Sequence, residues 1–230
     1  MSARSVLYYI TDRAQFPGDE PDRRGALLAK IAEAAQAGLD YIQLREKDLS
    51  ARELEALARE AVGVIRGSGD LRTENREPRT RLLINSRTDI AIAVGADGVH
   101  LPSDDISTSE VRRIWSKCGA GAPARERPVI TWSCHTIENV LRAESEGVDF
   151  VIFAPVFEKR GSTPAGLSAL REASQGKIPV LALGGITIKN AASCREAGAA
   201  GIAGIRLFQE NRIEDVVHAL RNDDRARSKA

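Results

Sequence analysis

The chain has 230 residues, and its 33 basic and 32 acidic side chains leave a net charge of +1, so no bulk charge draws it to nucleic acid or to a membrane. A hydrophobic content of 43 % with only 4 % aromatics calls for an aliphatic core, the composition of buried parallel strands under helices. Cys118, Cys134 and Cys194 are odd in number and lack CxxC spacing, which argues against a zinc site or a disulfide framework and fits a reducing cytoplasm.

The first apolar run, Val6 to Ile10, is too short for a signal-peptide core, and no run approaches the roughly 18 apolar residues of a membrane span. It reads as a strand over 5–10, followed by Thr11-Asp12-Arg13 and a helix over 23–37. The next strand, 40–44, runs into Gln43-Leu44-Arg45-Glu46-Lys47. Gln43, Arg45 and Lys47 fall on alternate positions and so share a strand face. An amide and two cations side by side suit a phosphate or pyrophosphate; the competing reading is a solvated strand end. A helix over 51–66 shows one stripe of Leu54, Leu57, Ala58, Ala61, Val62 and Ile65. The polar, breaker-rich segment Arg66 to Arg81 reads as a surface loop.

Strand 81–85 ends in Asn85-Ser86-Arg87 and leads to helix 87–94. Strand 98–101 carries His100, read as structural, and is followed by Asp104 and Asp105. These carboxylates suit Mg²⁺ beside phosphate oxygens, and equally suit the start of helix 107–117 with Ser107 as its cap. Strand 129–134 places Thr131, Ser133 and His135 on one face, with Trp132 on the other as core. His135 is a candidate acid/base, against the reading that Thr136 caps helix 136–147 and His135 is merely adjacent. Trp115 reads as packed under its helix, and His218 as a surface residue. Strand 149–153 leads into the loop Glu158 to Pro164 and helix 165–174. Strand 179–183 ends in Gly184-Gly185, before helix 187–197; backbone N–H groups there can hold a phosphate, unless the pair is a plain tight turn. Strand 201–205 ends at Ile205-Arg206, helix 213–221 follows, and the charged tail 221–230 reads as frayed.

A repeat organises these elements. Gly38, Gly95, Gly147 and Gly198 each follow a helix pattern and precede an apolar strand, and they lie 57, 52 and 51 residues apart. Each interval holds two βα units, and Gly at a helix end supplies φ > 0 without steric cost. Eight alternations predict an α/β fold, a single-domain (β/α)8 TIM barrel over 1–230, with its active site at the carboxyl ends of the strands. A doubly wound open sheet is the alternative; the even spacing and the absence of GxGxxG favour the barrel.

The ordered strand ends resemble the thiamine phosphate synthase family and its relative, the thiazole tautomerase TenI. The resemblance runs from Tyr8-Tyr9-Ile10-Thr11-Asp12-Arg13 to Phe208 and is carried by Gln43-Leu44-Arg45-Glu46-Lys47, Leu83-Ile84-Asn85, Gly98-Val99-His100-Leu101, Ser133-Cys134-His135-Thr136 and Leu183-Gly184-Gly185-Ile186-Thr187. It implies a cytoplasmic transferase of thiamine biosynthesis acting on small-molecule phosphate substrates, with self-association into a homo-oligomer left open. Gln43, Arg45, Lys47, Asn85 and Ser133 would hold a hydroxymethylpyrimidine diphosphate, with Arg45 and Lys47 acting on the leaving group. Gly184, Gly185, Ile205 and Arg206, with Lys159, would hold a thiazole phosphate. Asp105 would hold Mg²⁺. Two departures point to the tautomerase, an isomerase with a histidine at the position of His135. Ser86 stands where the synthase has a second metal carboxylate, and residues 157–164 lack the synthase's Thr-x-Thr-Lys loop. A non-catalytic binder of pathway phosphates is the third alternative.

Overall fold

The computed structural model describes residues 4–68, 80–118, 127–158 and 163–227. Eight parallel strands close into a barrel in chain order: β1 (Val6–Ile10), β2 (Tyr41–Leu44), β3 (Arg81–Asn85), β4 (Gly98–Leu101), β5 (Val129–Cys134), β6 (Phe150–Phe153), β7 (Val180–Ala182) and β8 (Gly201–Gly204). Helices alternate with them: α1 (Glu20–Gln36), α2 (Ala51–Gly67), α3 (Thr88–Val94), α4 (Thr108–Cys118), α5 (Ile137–Ser145), α6 (Gly166–Ala173), α7 (Ala191–Glu196), a short α8 (Arg206–Gln209) and α9 (Ile213–Arg227). The barrel is therefore the expected one. Residues 69–79 of the expected surface loop lie outside the described residues.

Burial on both faces explains why the strands read as continuous apolar runs rather than alternations. Tyr8, Ile10, Leu83, Val129, Phe150, Ile152, Leu181 and Ala203 fill the interior. Their chain neighbours point outward to a second, larger core shared with the helices, in which Leu7, Tyr9, Ile42, Leu82, Ile84, Trp132 and Phe153 are buried along with the α2 stripe of Leu54, Leu57, Ala58, Ala61, Val62 and Ile65. Trp132 and Trp115 are both buried in that outer layer, and the Arg142 guanidinium lies 5.4 Å from the Trp132 ring centroid. Among the described residues, no helix is long and apolar enough to cross a membrane.

The four-fold glycine repeat has a physical counterpart at the amino-terminal ends of the strands. Gly38, Gly95, Gly147 and Gly198 all take positive φ, between 69° and 99°. Two residues on, Asp40, Asp97 and Asp149 each clamp one residue of the preceding strand. Their carboxylates accept from the N–H of Leu7, Leu82 and Ile130, each at 2.8 Å. Their own N–H groups donate to the carbonyls of those same residues. The fourth junction keeps the backbone half of the clamp, Ala200 N–H to the Val180 carbonyl, and has no carboxylate.

Element boundaries differ from expectation at three places. α1 begins at Glu20 because Asp19 accepts from Asp22 N–H and Pro21 fits the first turn. α7 begins at Ala191, since Thr187 to Asn190 form a turn in which Asn190 Oδ1 accepts from Thr187 N–H. α9 continues to Arg227, past the expected end at 221, so most of the segment expected to fray is helical. Arg221 holds it to the barrel by donating to the Gly38 carbonyl at 2.8 Å.

Removing one clamp tests this account. Asp97→Ala leaves Leu82 N–H without its charged acceptor and should lower unfolding free energy by about 2 kcal/mol. Asp97→Asn, which keeps an acceptor oxygen, should lose less. Chemical denaturation measures both, and an Asp97→Ala midpoint equal to wild type would rule out the clamp.

Candidate active site

The carboxyl end of β2 sorts its side chains by alternation. Gln43 points into the barrel and is buried, Arg45 is half-buried and Lys47 is exposed. Glu46, between the two cations, is buried and lies with the β1–α1 turn: its carboxylate accepts from Thr11 Oγ1 at 2.5 Å and from Arg13 N–H at 3.0 Å. Arg13 also binds Asp48 through two donors, at 2.7 and 2.9 Å, and Glu20 at 2.7 Å. Arg13 hydrogen bonds hold the Asp48 carboxyl below its ordinary range, while burial pushes Glu46 up against the hydrogen bonds of Thr11 and Arg13. The acids of this segment are thus taken by Arg13. Among the described residues, Arg45, Lys47 and Arg206 have no carboxylate partner.

A hydrogen-bonded chain crosses the barrel floor beneath them. Tyr8 OH donates to Gln43 Oε1 at 3.1 Å, Gln43 Nε2 donates to Asn85 Oδ1 at 2.8 Å, and Asn85 Nδ2 donates to Ser86 Oγ at 3.2 Å. Burial holds the Tyr8 phenol above its ordinary range, so it remains a neutral donor. The chain fixes which end of each amide faces which neighbour, and so orients the unused N–H groups of Gln43 and Asn85. Tyr8 is the member that sequence reasoning did not single out; its signal is the period-two alternation of Val6, Tyr8 and Ile10.

His100 belongs to the same floor. Its Nδ1 lies 2.8 Å from Thr131 Oγ1 and its Nε2 lies 2.8 Å from Ser133 Oγ. Burial, with the Arg45 charge as a second cause, pulls the imidazole from its ordinary 6.5 down to about 3, so His100 is neutral. The structural reading of His100 holds, with an addition: it orients the Ser133 hydroxyl at the mouth.

The glycines after β7 serve packing as well as conformation. Gly184 and Gly185 have φ of 100° and 62°, and an added Cβ would sit 2.8 Å from Pro155 Cα or from Phe157 Cβ. The turn is stitched to the β6–α6 loop by Val156 N–H to the Leu183 carbonyl and Phe157 N–H to the Gly184 carbonyl. The N–H groups of Gly184, Gly185 and Ile186 have no partner among the described residues, nor do those of Arg206 and Leu207 at the start of α8. Loops after β7 and β8 with a short extra helix form the usual phosphate cradle of such barrels. α8 was not expected, because four residues are too few to show a helical period. Ile205 lies just before it and packs on the interior cluster.

His135 is exposed at the start of α5, and its Nδ1 lies 2.6 Å from the Ala154 carbonyl. A carbonyl only accepts, so Nδ1 donates in this contact. Thr136 does cap α5, accepting from Asn139 N–H. Asp105 is half-buried, with Oδ1 accepting from Ile106 N–H at 2.8 Å. Asp104 is exposed, and no three His, Cys, Asp or Glu side chains among the described residues group as metal ligands. Ser86 has φ of 58°, the one non-glycine with positive φ among the described residues, and its N–H donates to the His100 carbonyl at 2.8 Å. Lys159 lies outside the described residues. The structure thus joins Gln43 to Asn85 and ties Ser133 to His100. It sets Gly184, Gly185, Ile205 and Arg206 on a separate arc of the mouth.

Comparison with known proteins gives the same direction. The family model described as thiamine monophosphate synthase matches residues 7–208. A thiamine-phosphate synthase of Roseiflexus castenholzii is 35 % identical over 207 residues, covering 88 % of this chain and 80 % of that protein. One of Syntrophomonas wolfei is 35 % identical over 221 residues, covering 94 % of each. The solved thiamine phosphate pyrophosphorylase of Pyrococcus furiosus superposes with a TM-score of 0.74 at 28 % identity, covering 96 % of each chain.

The neutral His100 makes stability fall in acid. The unfolded chain takes up a proton near pH 6.5 and the native state only near 3, so stability is present above 6.5 and is lost as pH falls through that window. Between pH 7 and pH 5 this one group should contribute a loss of about 2 kcal/mol. His100→Asn should flatten the pH dependence of denaturation by that amount; an unchanged slope would contradict the assignment.

Proposed function

Because the chain belongs to the thiamine monophosphate synthase family and to thiamin biosynthesis, we propose that it acts as a thiamine-phosphate synthase. In this reading it is a transferase that joins a hydroxymethylpyrimidine diphosphate to a thiazole phosphate and releases pyrophosphate. One observation carries the reading. Two anion-binding edges share one mouth: the cations Arg45 and Lys47 after β2, without a carboxylate partner among the described residues, and the N–H groups after β7 and β8 that have no partner among them. Two phosphorylated substrates need two such edges.

The reaction breaks the C–O bond between the pyrimidine methylene and the diphosphate. The electron pair leaves with pyrophosphate, and the thiazole nitrogen forms the new C–N bond. No general base is required, so the protein's task is to orient two substrates and stabilise departing charge. Arg45 and Lys47 meet that charge, Gln43, Asn85 and Ser133 orient the pyrimidine, and the Gly185 and Arg206 N–H groups hold the thiazole phosphate. Asp105 fits Mg²⁺ as a single carboxylate completed by substrate oxygens, because this ion commonly takes one or two carboxylates plus phosphate. When bound, Mg²⁺ supplies further neutralisation of the leaving pyrophosphate.

A second reading rests on His135, whose Nδ1 is engaged by the Ala154 carbonyl and which leaves Nε2 as the candidate for proton transfer, and on Ser86, which supplies no carboxylate. It is a thiazole tautomerase, an isomerase. Product formation from the two phosphorylated substrates with Mg²⁺ separates the readings. Lys47→Ala and Arg45→Ala should each lower kcat/KM for the pyrimidine diphosphate by about 100-fold. His135→Ala should retain the rate within about threefold. No thiamine phosphate from the wild type, together with interconversion of thiazole carboxylate phosphate tautomers that His135→Ala abolishes, would establish the second reading instead.

A further inference from the structure

The turn after β1, Thr11-Asp12-Arg13, contributes no group to the proposed chemistry, yet it is bonded to both anion-binding edges. β1 lies between β2 and β8 in the closed barrel, so its carboxyl end separates the two edges. On the β2 side, Thr11 Oγ1 donates to Glu46 Oε1 at 2.5 Å. Its proton is thereby committed, and its lone pair accepts from Arg45 N–H at 2.9 Å. Arg13 closes the arrangement by holding Glu46 from its backbone and its guanidinium, at 3.0 and 3.2 Å. On the β8 side, the Asp12 carbonyl accepts from Gln209 Nε2 at 2.7 Å, and Gln209 Oε1 accepts from Tyr9 OH at 2.9 Å. Gln209 is the last residue of α8, and its buried side chain is satisfied at both ends by β1 and its turn.

We propose that Thr11-Asp12-Arg13 is a positioning brace that sets the spacing between the two anion-binding edges, through Thr11 on Arg45 and through Asp12 on α8. Thr11, Arg13 and Gln209 are then positioning residues that touch no substrate. The inference deepens the synthase reading and rests on its two edges. The physical ground is that Arg45 stands one residue past the β2 ladder, where an exposed strand end is otherwise free to splay. A directed hydroxyl, itself oriented by a buried carboxylate, replaces the missing ladder bond. Likewise, α8 is too short to hold its own direction, and Gln209 anchors it from its carboxyl end.

The test uses the full chain with inorganic pyrophosphate for the β2 edge and a simple phosphate monoester for the β8 edge, with affinities from calorimetry. Thr11→Val, nearly isosteric, should weaken pyrophosphate binding by about tenfold and leave the monoester unchanged, and Thr11→Ser should restore it. Gln209→Leu should do the converse. Amide exchange read by NMR gives a ligand-free check, since Arg45 N–H should exchange much faster in Thr11→Val and regain protection in Thr11→Ser. Wild-type affinity and wild-type Arg45 exchange in Thr11→Val would overturn the brace. So would equal weakening of both ligands in each variant in step with a lowered Tm, which is the pattern of plain destabilisation. If the wild-type chain binds neither ligand, the synthase reading fails, and the Arg45 exchange rate alone still decides the brace.

Discussion

Closure of the sheet between its first and last strands is the constraint from which the rest follows. β1 pairs with β8 over Val6 to Tyr9, and Gly201 lies so close to Val6 that an added Cβ would sit 2.2 Å from the Val6 carbonyl oxygen. The same close approach recurs where Gly98 meets Val129. Glycine at these inward positions lets backbones approach where a side chain would hold the ring open. Closure leaves no free sheet edge and turns all eight carboxyl ends toward one mouth. It also places the β1 turn between β2 and β8, which are far apart in sequence. The cations after β2 and the N–H groups after β7 and β8 share one mouth, with the β1 turn between them, because the ring closes there.

The chain carries almost equal numbers of acids and bases, so positive charge at the mouth is a matter of placement. Six residues do much of it. Along Gln43 to Asp48 the even-numbered acids fall to the Arg13 side, and the odd-numbered amide and cations are left toward the mouth. A buried ion pair such as Arg13–Glu46 is weak evidence for stability, because desolvation offsets much of the attraction. Its clearer consequence is electrostatic. By engaging Glu46 and Asp48, Arg13 occupies the two acids that alternate with Arg45 and Lys47 along this segment.

How much of this was legible in the sequence follows from the length scale of each feature. The strands lie within a residue or two of their expected places, since an aliphatic run between a helix stop and a polar turn has few alternatives. The glycine repeat identified every second αβ junction, because positive φ at a helix end is a single-residue demand that one residue type meets best. The alternation of Gln43, Arg45 and Lys47 was readable for the same local reason. What escaped was non-local or too short. Tyr8 reaches Gln43, and Thr11 reaches Glu46, across strands 35 residues apart in sequence. The four residues of α8 carry no period, and the helical end of α9 is held by Arg221 on a carbonyl 183 residues away.

Ser86 shows how a backbone conformation is held by residues around it rather than by its own side chain. Positive φ at a strand end favours Gly, Asn or Asp and costs other residues on the order of 1 kcal/mol, so serine there is not what backbone preference alone selects. The conformation is held from outside the residue, by Ser86 N–H on the His100 carbonyl, and His100 is itself held by Thr131 and Ser133. The Ser86 hydroxyl accepts from Asn85, so the residue has joined the hydrogen-bonded floor that runs back through Gln43 to Tyr8. The backbone at this position is therefore tied to β4 directly and to β5 through His100.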